Sequence, residues 1–224
     1  MVLRAVGFDV DGTLYPNNRA FWRSILYIIR HIRAISAFSR TRRIMREQEE
    51  DQAMAGDASE TEIGVFAQQL RCSPERAERI RRGIIYSGLE KCLRRLKTYK
   101  GVRESLISLK KAGLKIAALS DFPIGRKLQI FGLDDLFDVA LGYPETLRLK
   151  PRPEPFLLMA RKLGVLPEEI LYIGNKFHYD VRGAENAGMR GALVGPVTRH
   201  VPQGVTSYAN FQDLAERILF EVKK

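Results

Sequence analysis

Apolar positions along this chain change their period twice. The first run, residues 2–10, is short, partly β-branched and closed by a turn containing Gly12, which predicts a buried strand. Over residues 15–100 the period becomes helical. Trp22, Ile25, Leu26, Ile29 and Ile32 fall on one stripe, with Phe21, Ile28 and Ile35 widening an edge. Arg23, Tyr27, Arg30 and His31 occupy the polar face. Further helices are expected over 42–54, up to an interruption at Gly56-Asp57-Ala58-Ser59, and over 61–70. Ser73-Pro74-Glu75 marks another start, with a cap hydroxyl, a proline in the first turn and an acid at the positive helix end.

After Gly101 the period alternates. Helix is expected over 102–111, 122–131, 154–163, 180–187 and 211–222, and strand over 114–119, 138–142, 170–173 and 191–194. Gly113, Gly164 and Gly188 end three of the helices. Strands alternating with helices of this length predict an α/β fold, a parallel sheet covered on both faces. The long helical stretch is then an insertion after the first strand. Residues 1–14 and 101–224 are assigned to the core and 15–100 to the inserted helical domain.

Composition narrows the class. The 224 residues are 45% hydrophobic and 28% charged, enough for one large or two modest packed domains. Cys72 and Cys92 offer neither a disulfide framework nor a metal cluster, and the first residues show no secretory pattern, so a reduced cytoplasmic setting is expected. The most apolar long stretch, residues 21–38, is interrupted by Arg23, Arg30 and Arg33, so no membrane span is expected. The net charge is +11, and residues 15–100 hold 18 Lys and Arg against 10 Asp and Glu. Such a surface could attract nucleic acid, anionic lipid or a phosphorylated small molecule, or be only a solvated, arginine-rich face. A nucleic-acid partner is not expected; a small phosphorylated metabolite is.

Ligands of open parallel sheets bind beyond the carboxyl ends of the strands. Polar residues gather there from four stretches: Asp9-Val10-Asp11-Gly12-Thr13, Ser120-Asp121, Lys150-Pro151, and Gly174-Asn175 with Asp180 five residues on. These are the parts of a phosphoryl-transfer centre. A carboxylate can attack phosphorus if a cation suppresses its repulsion from an anionic ester. Asp9, Asp180 and the amide oxygen of Asn175 are hard donors suited to Mg²⁺. Lys150 offers positive charge, Ser120 a hydroxyl for a phosphoryl oxygen, and Asp11 a proton for the leaving oxygen. Thr13 can hydrogen-bond within the turn.

Phe8-Asp9-Val10-Asp11-Gly12-Thr13-Leu14 resembles the first motif of the haloacid dehalogenase-like hydrolases. Ala118-Leu119-Ser120 resembles the second, Lys150-Pro151 the third, and Gly174 through Asp180 the fourth. The resemblance implies a Rossmann-like core, a helical cap between the first two motifs, and hydrolysis of a phosphate monoester through an aspartyl-phosphate. It implies Asp9 as nucleophile and metal ligand. Asp11 would be acid/base and lend its backbone carbonyl to the metal. Thr13, Ser120 and Lys150 would bind phosphate, and Asn175 and Asp180 would complete a Mg²⁺ site. Asp11 favours phosphate over halide chemistry, since halide release needs no general acid. Asn175 stands where most phosphatases of the family carry aspartate, and Lys176 follows it; weaker Mg²⁺ binding with activity kept is the expectation. Asp121 stands where asparagine is commoner. A phosphomutase and a non-catalytic phosphate binder are the alternatives. His31, His178 and His200 show no ligand spacing, with a supporting role at the metal site left open for His178. Arg33 either snorkels over the apolar edge of its helix or contacts substrate.

Overall fold

A computed structural model describes residues 2–51, 58–94, 96–195 and 201–223. Its sheet is built outward from β1 (Ala5–Asp9), whose five residues are all buried, as a strand covered on both faces requires. To one side lie β2 (Lys115–Ser120) and β3 (Val139–Gly142), to the other β4 (Ile170–Gly174), β5 (Arg190–Val194) and β6 (Thr206–Tyr208). The order is β3-β2-β1-β4-β5-β6, and every pair is parallel. The expected α/β architecture with a parallel sheet is the observed one.

Alternation along the strands sorts the core into two layers. Ala5, Ala117, Leu119, Ile170 and Tyr172 pack against α8 (Pro153–Leu163) and α9 (Arg182–Asn186). Phe8 points the other way and stacks on Phe211 of α10 (Phe211–Val222), ring centroids 6.2 Å apart. Ser105 of α6 (Val102–Lys111) donates to the Phe211 carbonyl at 2.7 Å, tying α6 to α10. Register then brings the carboxyl ends of the central strands level, with Asp9 opposite Leu119 and Phe8 opposite Ile173. Because β1 lies between strands reached in opposite directions, its end is where the sheet's order reverses, the place where open parallel sheets bind ligands.

The chain divides into two compact units, Met1–Asn17 with Leu96–Lys224, and Asn18–Arg95. The second is helical: α1 (Asn17–Arg30), α2 (Ile32–Asp51), α3 (Ala58–Leu70), α4 (Pro74–Ile80) and α5 (Leu89–Leu93). Between α4 and α5 the chain winds wider over Arg81–Gly88, where each N–H reaches one residue further back. Ser73 caps α4 as its sequence predicts, its side chain accepting from the Arg76 N–H. Glu62, fully buried, forms ion pairs with Arg42 and Arg81, each at 2.7 Å, and accepts from the Tyr86 hydroxyl at 2.9 Å.

Several boundaries differ from the periodicity. α7 runs Gly125–Ile130 and begins three residues later than expected, because Pro123 has no N–H and biases Phe122 away from helix. The expected helix over 180–187 begins instead as a wide turn, Phe177–Val181, and becomes regular only at Arg182. The helix expected from residue 42 is the second half of α2, which starts at Ile32; its expected end and interruption fall largely outside the described residues, as does His200. β6 was not predicted. Three residues carry too little alternation, and pairing with β5 defines the strand.

Candidate active site

Asp9 closes β1 on the same face as Ala5, and the chain then turns sharply through Gly12 at φ +93°. A Cβ there would sit 2.2 Å from the Asn17 amide nitrogen and 2.3 Å from that of Asn175, so no larger residue fits. Within the turn Thr13 donates to Asp9 Oδ2 at 2.6 Å. Asp9 Oδ1 accepts from Lys150 Nζ at 2.7 Å, and the same ammonium donates to Asp180 Oδ1 at 2.6 Å and to the Tyr172 hydroxyl at 3.3 Å. Asp9, Lys150 and Asp180 are all buried.

Asp180 is turned into this group by its own backbone. Its Oδ2 accepts from the N–H groups of Asn175 (3.1 Å) and Lys176 (2.9 Å), which explains the wide turn at Phe177–Val181. Gly174 makes room: a Cβ there would lie 2.3 Å from the Asp180 carboxyl carbon. Lys150 is held in turn by Asp121, whose carboxylate accepts the Lys150 backbone N–H at 3.0 Å. Asp121 thus braces the loop that presents the lysine.

A second group surrounds Asp11. Ser120 donates to its Oδ2 at 2.7 Å, the Tyr15 hydroxyl donates to Oδ1, and Lys127 Nζ reaches both oxygens at 2.7 and 2.8 Å. Lys127 was not singled out in the sequence. It lies on α7, and its burial and its place on the α7 face turned to the site emerge only from folding. Ser120 also accepts the Phe122 N–H at 3.0 Å, which fixes the hydroxyl's lone pairs. The sequence-derived residues therefore fall into adjoining clusters: Asp9, Thr13, Lys150 and Asp180 in one, Asp11 and Ser120 in the other, with Asn175 beside Gly12.

The charge balance is specific. In the first cluster two buried carboxylates share one ammonium, an excess of one negative charge when both are ionised. Burial raises the Asp9 pKa to about 7; Lys150 opposes the shift, and Asp180 and Asp11 add to it. Lys150 is desolvated too, yet Asp180 and Asp9 hold its pKa well above the ordinary lysine value. Burial works against the Asp11 charge, but Lys127, Tyr15 and Ser120 outweigh it and keep that carboxyl below its usual range.

Asn175 Oδ1 is buried and has no hydrogen-bond partner among the described residues. Such an oxygen is costly unless something outside the chain satisfies it. No three Asp, Glu, His or Cys side chains gather as a metal-ligating group among the described residues. The available set is instead mixed: Asp9, Asp180, Asn175 Oδ1 and the Asp11 backbone carbonyl, which among the described residues accepts a long 3.4 Å contact from Asn17. Hard oxygens, a surplus negative charge and an orphaned carbonyl-type oxygen fit a divalent cation such as Mg²⁺. Lys176 does not compete there; its ammonium lies over the Tyr179 ring, 5.5 Å from the centroid. His178 is exposed and packs edge-on against Tyr179.

Residues 3–188 match the haloacid dehalogenase-like hydrolase family. The chain belongs to that family. Among its relatives, the glyceraldehyde 3-phosphate phosphatase of Methanopyrus kandleri is 29% identical over 84% of this chain and 82% of its own. The N-acetylmuramic acid 6-phosphate phosphatase of Pseudomonas aeruginosa is 29% identical over 87% of this chain and 82% of its own. In structure, a 2-haloacid dehalogenase from Pseudomonas syringae superposes with a TM-score of 0.73 at 19% identity, over 98% of this chain and 100% of that one. That likeness carries the haloacid dehalogenase-like fold and not the substrate. No helix among the described residues is long and apolar enough to cross a membrane.

Proposed function

We propose that this haloacid dehalogenase-like hydrolase is a Mg²⁺-dependent phosphatase that hydrolyses a small phosphate monoester through phospho-Asp9. The observation that carries the reading is the buried triad of Asp9, Lys150 and Asp180 beside a separately held Asp11. Such a pair would let one carboxylate attack while a second transfers the proton. The Asp9 carboxylate attacks phosphorus, and the leaving oxygen takes a proton from Asp11. A water that gives its proton to Asp11 then attacks phosphorus and releases Asp9. Lys150, Ser120 and Thr13 are assigned to the phosphoryl oxygens.

Asp9, the Asp11 carbonyl, Asn175 and Asp180 would hold Mg²⁺, which when bound screens the repulsion between the attacking carboxylate and an anionic ester. The relatives named for glyceraldehyde 3-phosphate and N-acetylmuramic acid 6-phosphate support a phosphorylated metabolite as substrate. Two free, half-buried cysteines suit a cytoplasmic enzyme.

The test is hydrolysis of a chromogenic phosphate ester with Mg²⁺ and with excess chelator, extended to a panel of sugar and acid phosphates. Turnover dependent on Mg²⁺ with phosphate release supports the proposal. Binding of phosphate esters without release would make the chain a binder, and return of the phosphoryl group to a sugar would make it a mutase.

A further inference from the structure

Residues 12–46 hold eight arginines and no aspartate or glutamate. Arg42 is drawn inward by Glu62, whereas Arg19, Arg23, Arg30 and Arg33 are exposed on α1 and the start of α2. The apolar stripe beside them is exposed as well: Trp22 by 69%, Leu26 by 79%, Ile29 by 61% and Ile32 by 54%. Only Ser24 of α1 is buried. A helical stripe of this kind ordinarily seeks a core; here the other helices of its unit leave it exposed.

Helical winding continues through His31, whose N–H donates to Tyr27 (3.1 Å) and whose carbonyl accepts from Ile35 (3.0 Å). At about 3.6 residues per turn, Trp22, Leu26, Ile29 and Arg33 share one side, with Arg19, Arg23 and Arg30 along its edge. The stripe runs into a cavity of about 370 Å³ beside Ile32, where Arg33, Arg40 and Arg71 converge. Arg40 is aimed by Ser36 (2.8 Å) and Gln69 (3.2 Å). Arg71 takes φ +54° where α3 ends, held by its own N–H bond to Gln68 and by that of Cys72 to Ala67. Neither Arg33 nor Arg71 has an ion-pair partner among the described residues.

We propose that the helical unit docks on an anionic phospholipid surface. Trp22, Leu26, Ile29 and Ile32 enter the boundary between headgroups and acyl chains, and Arg30, Arg33, Arg40 and Arg71 meet the phosphates. Free phosphate would occupy the cavity and leave the exposed stripe in water. A nucleic acid would match the arginines and could stack on Trp22, yet Leu26 and Ile29 would gain nothing. An anionic bilayer supplies both chemistries in one plane, as basic amphipathic helices require. The inference does not depend on the phosphatase reading.

Trp22 is the chain's only tryptophan, so its emission reports on this surface alone. The full chain is floated with vesicles of phosphatidylcholine and with vesicles containing phosphatidylglycerol. It should float only with the anionic vesicles, with a blue shift of Trp22 emission. Leu26→Asp should weaken partitioning about tenfold or more, and Arg30→Ala or Arg33→Ala about fivefold each. Circular dichroism should be unchanged in all three, and ester hydrolysis in Leu26→Asp and Arg30→Ala. Equal flotation with neutral vesicles, no flotation at all, or an unmoved Trp22 spectrum would overturn the proposal. So would inorganic phosphate alone shifting the spectrum, or a single-stranded oligonucleotide binding more tightly than the vesicles and equally well to Leu26→Asp.

Discussion

Lys127 grips the Asp11 carboxylate through both oxygens, at 2.7 and 2.8 Å, from a helix more than a hundred residues further along the chain. The pair favours the ionised carboxylate, the form that accepts a proton from water. Lys127→Met keeps the apolar stem and removes that bias. Hydrolysis of the phospho-enzyme should slow roughly tenfold, while phosphorylation by esters with poor leaving groups, which need a protonated Asp11, should suffer less. Burst and steady-state rates with good and poor leaving groups separate the steps. Equal losses in both would show that Lys127 does not act through Asp11.

Asp9→Asn should abolish turnover and leave the fold intact, because the amide neither attacks phosphorus nor carries the charge that faces Lys150. Phosphate release and an unfolding curve on the same preparation check it. A residual rate above a small percentage of wild type would refute phospho-Asp9.

Asn175 Oδ1 is buried without a hydrogen-bond partner among the described residues and is proposed as a Mg²⁺ ligand. Asn175→Asp should therefore lower the Mg²⁺ concentration needed for half-maximal activity, with little change at saturation. The thermal melting temperature without Mg²⁺ should fall, since a third carboxylate joins Asp9 and Asp180. A raised or unchanged Mg²⁺ requirement would remove Asn175 from the ligand set.

Glu62→Ala takes a buried carboxylate away from Arg42 and from Arg81, which keeps its 2.7 Å ion pair with Glu78. Removing one partner of a buried ion pair leaves uncompensated charge, and a loss of roughly 3–5 kcal/mol is expected. Urea unfolding followed by far-ultraviolet dichroism measures it.

Asp138 accepts from Lys110 Nζ at 2.8 Å and from the Ile116 N–H at 2.7 Å, where β2 and β3 begin to pair. Burial alone would raise its pKa, but these bonds hold it below the ordinary carboxylate value. A depressed folded pKa contributes stability that is complete above the unfolded value, about 4, and is lost as pH falls through the folded one. The urea midpoint of wild type should exceed that of Asp138→Asn at neutral pH, and the gap should close under acid conditions. A gap that does not change with pH would count against the assignment.

The parallel sheet was legible because β1 and β4 are continuous apolar runs and α8 and α6 end on glycine, signals carried by neighbouring residues. That Asp9, Asp11, Ser120, Lys150 and Asp180 gather at one edge was legible for a related reason: each stands at a strand's end or in a short motif, and a parallel sheet must bring such ends together. Lys127 carried no such mark. Its role depends on the late start that Pro123 imposes on α7 and on the face that α7 then presents, which are properties of packing. The wide turn at Phe177–Val181 was equally hidden, since it exists to let one carboxylate oxygen of Asp180 reach two backbone N–H groups. The stripe from Trp22 to Ile32 was plain in the sequence as periodicity, but periodicity names a face and not what covers it. Only the tertiary structure decided that the other helices of this unit leave the face uncovered, because burial is fixed by which helices meet and not by the pattern within one.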